Sequence, residues 1–177
     1  TGRKNLEPIV SQTRYENLSV VPGTTGLVDV ANPKFQQKAA LLRELRKLNA
    51  DLVIIDLDAG AHLDTLDFFL QTESSGVVVI TPEKTSGDNC FKFLRATLFR
   101  KIERFYRSPE VAQVLKRKET LGDLLESIRS MEDFETSMKN RLCGEIIALA
   151  QSFRPQIVVN RAKNEVEARG TANVLIK

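Results

Sequence analysis

The chain has 177 residues, 42% of them hydrophobic and 28% charged, which suits one well-buried globular domain and excludes a disordered chain. Its formal net charge of +3 is too small to imply a nucleic-acid partner by itself, but residues 88–118 carry nine Lys or Arg against three acids, so that segment is net +6 and the remainder net −3. Two cysteines, Cys90 and Cys143, stand in no metal or redox spacing and read as free thiols of a reducing compartment. No apolar run approaches the roughly 20 residues that span a bilayer, and no signal peptide is visible, so a cytoplasmic protein is expected.

The opening Thr1-Gly2-Arg3-Lys4 reads as the tail of an element already under way, and an N-terminal piece is expected upstream of it. Leu18-Ser19-Val20-Val21 is a short strand candidate stopped by Pro22-Gly23. Phe35, Ala39, Leu42, Leu45 and Leu48 recur at three- and four-residue spacing and predict an amphipathic helix over 33–48, with Pro33 in its first turn. Residues 52–57 are almost unbroken in hydrophobicity and predict a central strand covered on both faces. Two further strands are predicted at 76–80 and 156–159, and helices at 63–71, 88–107, 109–118, 120–130 and 134–152. Strands alternating with helices predict an α/β fold, a mostly parallel sheet between helical layers, in a single domain over 1–177. Several helices separate the second and third of these apolar strands, so 88–152 is expected to be a helical elaboration of the crossover.

Each of these three strands is followed by chemistry. An apolar strand that ends in an acid sets a carboxylate at the carboxyl edge of a sheet, where open α/β folds bind ligands, and Asp56 is placed to help hold a nucleotide's Mg²⁺. The plain alternative is that Asp56 starts a turn or caps the next helix. Thr81-Pro82-Glu83-Lys84-Thr85-Ser86 follows the second strand and Asn160-Arg161 the third. Asn160 by itself reads as a turn residue that closes a strand.

Asp56-Leu57-Asp58-Ala59-Gly60, Pro82 with its loop, and Asn160-Arg161, taken in this order, resemble the MinD/ParA-type P-loop ATPases over essentially the whole chain. Leu66-Asp67-Phe68-Phe69 and the Pro-Glu-x-Thr-Ser loop resemble most the MinD-like branch that includes the flagellar number regulator FlhG. The resemblance implies an ATPase that binds ATP and Mg, with Asp56 as the Walker B aspartate holding a Mg²⁺-bound water and Gly60 as the switch II glycine near the γ-phosphate. It implies Asn160 against adenine, Pro82 on the other wall of the base site, and Arg161 beside Asn160. It further implies a nucleotide-dependent homodimer that organises flagella or the division site with a protein partner.

The chain departs from that pattern in two ways. Asp58 stands where a small residue or proline is usual, and it is expected to be exposed. No Gly-rich loop ending in Lys-Ser/Thr occurs in these 177 residues, and the switch I aspartate has no match, so both are expected upstream of Thr1. A membrane element is likewise expected only in a segment outside this sequence.

Two features have plainer readings beside the functional ones. His62 is the only histidine, with too few acids near it in sequence to argue a metal site. Arg100, Arg104 and Arg107 fall roughly opposite the apolar stripe Phe91, Leu94, Leu98, Ile102 and Phe105. Such a basic face is either solvated or, in the alternative functional reading of a ParA-like or non-catalytic module, a surface for non-specific DNA binding.

Overall fold

The computed structural model describes residues 10–22, 35–71, 76–106, 114–115, 118–132 and 134–176. The chain divides into two compact units, Thr1–Leu57 and Asp58–Lys177.

In the first unit, strand β1 (Ser11–Gln12) pairs antiparallel with β2 (Ser19–Val20), Ser11 opposite Val20 and Gln12 opposite Ser19. The turn between them is closed by the Thr13 hydroxyl donating to the Leu18 carbonyl at 2.8 Å, with Asn17 in the left-handed region at φ 61°. Helix α1 (Phe35–Leu45) follows the predicted periodicity and buries Leu42. The strand expected at 52–57 is not formed: these residues are irregular, and Leu52 and Ile54 are 76% and 81% exposed. A strand draws its stability from a ladder and from cross-strand packing, so apolar composition without a paired neighbour does not make one.

The second unit contains helix α2 (Leu63–Gln71), strand β3 (Val77–Ile80), helix α3 (Lys84–Tyr106), helix α4 (Leu121–Arg129), helix α5 (Thr136–Ser152), strand β4 (Gln156–Val159) and helix α6 (Glu165–Ile176). The described residues thus make an α/β structure of six helices with a small parallel sheet of two strands. The predicted helix over 109–118 lies largely outside the described residues; Val114 and Leu115 are helical.

Strands β3 and β4 pair in parallel with Val77 opposite Gln156 and Ile80 opposite Val159. Period-two alternation gives this sheet two unlike faces. Ile80 is buried, whereas Val77, Val79 and Val158 are 52%, 61% and 48% exposed, so these apolar strands are not covered on both faces. Helix α3 packs against β3 and α6 against β4.

The main core lies among the helices rather than under the sheet. Ile102 of α3, Leu115, Leu124 and Ile128 of α4, and Cys143 and Ile146 of α5 form one buried cluster, with Leu98, Phe99, Leu121 and Leu142 packed on it. Helix α4 turns into this core at a capping box: the Asp123 amide donates to Thr120 Oγ1 at 3.1 Å, and the Thr120 amide donates to Asp123 Oδ2 at 3.1 Å. The elaborated crossover between β3 and β4 therefore carries its own packed interior.

Helix α6 was not among the predicted elements. Its start is marked by the Glu167 amide donating to Asn164 Oδ1 at 2.9 Å, with Glu165 and Glu167 favourably set in the first turn. The Asn164-x-x-Glu167 spacing is the sequence signal for it.

Candidate functional site

The parallel register of β3 and β4 brings two of the flagged loops to one end of the sheet. The ladder runs one residue beyond β4, with the Asn160 amide donating to the Ile80 carbonyl at 2.7 Å. Thr81-Pro82 and Asn160-Arg161 consequently leave the sheet side by side at its carboxyl edge. The Thr81 amide donates to Ser86 Oγ at 3.0 Å, which folds the Pro82-Glu83 turn back onto the start of α3. Ser86 thus shapes a loop in which the sequence alone gave it no role.

Asn160 and Arg161 are exposed. Arg161 sits in the left-handed region at φ 59°, a conformation unfavourable to a residue with a Cβ, and its amide donates to Asn160 Oδ1 at 2.8 Å. That bond occupies the Asn160 acceptor locally. The Asn160 Nδ2 donor has no partner among the described residues, so the amide can still offer a hydrogen bond outward.

Gly60 lies in the exposed loop before α2 with φ +120°, and a Cβ there would meet His62 Cδ2 at 3.4 Å. The conformation, more than the space, is what asks for glycine. Asp58 is exposed, as expected, and its Oδ1 accepts from the Ala59 amide at 2.9 Å. Asp56 is also exposed and belongs to the first unit, whereas Gly60, Pro82, Asn160 and Arg161 belong to the second. Since 52–57 form no strand, Asp56 does not stand at a strand end in this structure.

Among the described residues no group of three or more His, Cys, Asp or Glu side chains could hold a metal ion, and His62 gathers no ligand set. Mg²⁺ held through one carboxylate would need its remaining oxygens from phosphate and water, as is usual for that ion. Among the described residues no helix is long and apolar enough to cross a membrane.

The basic face of α3 is not a free cationic surface. Arg100 grips Asp67 of α2 with both arms of its guanidinium, Nε to Oδ1 at 2.9 Å and Nη2 to Oδ2 at 3.3 Å, and donates from Nη1 to Glu103 at 2.7 Å. Arg104 Nη1 lies 3.7 Å from the same Asp67 carboxylate. The Asp67 side chain is only 6% exposed. The Asp67 hydrogen bond holds the Arg100 pKa above its ordinary value, against the opposing effect of burial. Removing Arg100 would leave the buried Asp67 carboxylate facing Arg104 at 3.7 Å and would destabilise the protein. Two of the three arginines read as a possible DNA-binding face are thus engaged within the protein, and Arg107 lies outside the described residues. The partner was missed because it stands 33 residues away on another helix. The signal for it is an acid between Leu66 and Phe69, on the side of α2 that periodicity assigns to the interior.

Comparison with protein-family models, with curated proteins and with solved structures finds no match to this chain.

Proposed function

We propose that these residues belong to a cytoplasmic ATP-binding and ATP-hydrolysing protein of the MinD/ParA kind, acting as a nucleotide-dependent homodimer. The fold proposed with this function is a mostly parallel sheet between helical layers, to which β3 and β4 contribute two neighbouring strands. The observation that carries the reading is the pairing of β3 with β4, which sets the Pro82 loop and Asn160-Arg161 together at the carboxyl edge of parallel strands. Ligands of open α/β sheets bind outside that edge.

In this reading the Asn160 amide faces the adenine edge and Pro82 packs on the base. Arg161 stands beside them. The Gly60 amide approaches the γ-phosphate, where its positive φ and missing Cβ leave the backbone accessible. Asp56 is the residue that would hold the Mg²⁺, which its carboxylate charge would favour. Mg-ATP, when bound, supplies the phosphoryl group that passes to water. The proposed role is spatial organisation of flagella or of the division site through a protein partner. The Asp67 contacts of Arg100 and Arg104 favour this branch over the DNA-binding alternative.

No Gly-rich loop with Lys-Ser/Thr is present in these 177 residues, so by themselves they are expected to bind ATP weakly or not at all. The deciding experiment is titration calorimetry of the full-length gene product with Mg-ATP and Mg-GTP. Asn160→Ala should weaken ATP binding by about 1–3 kcal/mol, the cost of an unpaired base edge, and narrow the difference between the nucleotides. Unchanged affinity for both removes Asn160 from the base site. Absence of any nucleotide binding rejects the ATPase reading.

A further inference from the structure

Helix α2 buries Thr65, Leu66, Asp67 and Phe69 along one side. Its second half is anchored by Asp67 on Arg100, by the Phe69 ring standing edge-on to Phe93 at 5.1 Å between centroids, and by the same ring against Gly76. At its first turn Leu63 is 62% exposed, and the residues that lead into it, 58–62, are exposed throughout. The first helical bond, from the Leu66 amide to the His62 carbonyl at 3.0 Å, ties that loop to the helix. Whatever fixes the rotation of α2 about its axis therefore fixes where the loop faces.

Apolar packing does part of this: Leu66 is buried, and the Phe69 ring is fitted against Gly76 and edge-on to Phe93. It supplies no hydrogen-bond direction of its own. A guanidinium fork on a carboxylate is planar, two-bonded and intolerant of rotation. Arg100 is itself held from its own helix by Glu103, so the fork is oriented before it meets Asp67.

We propose that Arg100 is a positioning residue for the loop 58–62: its two-bonded grip on Asp67 sets the rotation of α2 and hence the direction of the Gly60 amide. The contacts that carry this all lie within the unit Asp58–Lys177. The use of that loop for a phosphate rests on the ATPase reading above; the positioning does not.

The chain contains no tryptophan, so His62→Trp installs a single fluorescent reporter in the loop. Arg100→Lys in that background keeps the charge opposite Asp67 and removes the fork. The expected result is a melting midpoint within about 4 °C of the parent, with acrylamide quenching of the reporter at least about twofold faster. Asp67→Asn, which keeps the shape and weakens the grip, should move the quenching in the same direction. Unchanged quenching in both variants overturns the proposal. So does loss of helical ellipticity at room temperature in Arg100→Lys, because Arg100 then holds the fold and not the loop. Saturating Mg-ATP on the full-length His62→Trp protein separates the two readings. A reporter indifferent to Mg-ATP but loosened by Arg100→Lys removes the nucleotide role and keeps the positioning one.

Discussion

The ring of Phe69 occupies the space that a side chain at residue 76 would need: a Cβ on Gly76 would lie 2.4 Å from Phe69 Cζ and 2.5 Å from Cε2. Gly76 also has φ +77°, in the left-handed region. It starts the sheet's ladder, its carbonyl accepting from the Gln156 amide at 2.9 Å. Helix α2 and strand β3 are thus packed through a residue that must be glycine for two independent reasons.

Gly76→Ala should therefore destabilise the protein by about 2–4 kcal/mol, combining the left-handed backbone cost with overpacking against an aromatic ring. In a Phe69→Ala background the second part disappears, and the same substitution should cost only about 1–2 kcal/mol. Urea denaturation of the four proteins forms a double-mutant cycle. Equal costs in the two backgrounds would show that the ring yields freely.

Ile146 is fully buried in the helical core, whereas Val79 projects from the open face of the sheet. Ile146→Ala should cost about 2–5 kcal/mol through lost burial and a residual cavity. Val79→Thr, with its side chain already wet, should change stability by no more than about 0.5 kcal/mol. Chemical denaturation of both variants makes the comparison. A larger loss at Val79 than at Ile146 would move the main core from the helices to the sheet.

Alkaline pH should weaken the fold through Tyr106. Burial first, and then the bond from its hydroxyl to Glu145 Oε2 at 3.1 Å, hold the Tyr106 pKa above its ordinary value. The folded state therefore keeps this proton more tightly than the unfolded state. Its contribution is complete below about pH 10, the unfolded value, and is lost as pH rises towards the folded value. Lys101 acts in the opposite sense, since burial lowers its pKa. Melting midpoints of the wild type and Tyr106→Phe, followed upward from pH 8, should converge with a smaller decline in the variant. A parallel decline would remove Tyr106 from the alkaline transition.

Most helices were legible because their apolar residues recur within a few positions: α1, α2, α4 and α5 fall where three- and four-residue spacing put them. Strands β3 and β4 were legible as short β-branched runs, and their loops as turn residues. The failure at 52–57 has the same origin as those successes, since composition reports β-propensity and says nothing of whether a neighbouring strand is available. Arg100 and Asp67 show a second limit. A charged helix face looks alike in sequence whether it meets water or a buried acid on another element.

Asp56 and Asp58 flank Leu57. Both are exposed, but Asp58 already accepts a local backbone hydrogen bond from Ala59, whereas Asp56 has no partner among the described residues. A carboxylate engaged in its own turn is less available to a hydrated metal, so the proposed function assigns the Mg²⁺-side role to Asp56 alone. In the full-length protein Asp56→Asn keeps size and removes charge. Hydrolysis should fall by roughly a hundredfold or more, the scale on which preorganised electrostatics acts. Asp58→Asn can still accept from the Ala59 amide and should change the rate by only about two- to fivefold. Steady-state phosphate release at saturating Mg-ATP, with circular dichroism to verify folding, measures both. A dead Asp58 variant beside a nearly normal Asp56 variant would reverse the assignment, because the charge that matters would then be the one two residues further along the chain.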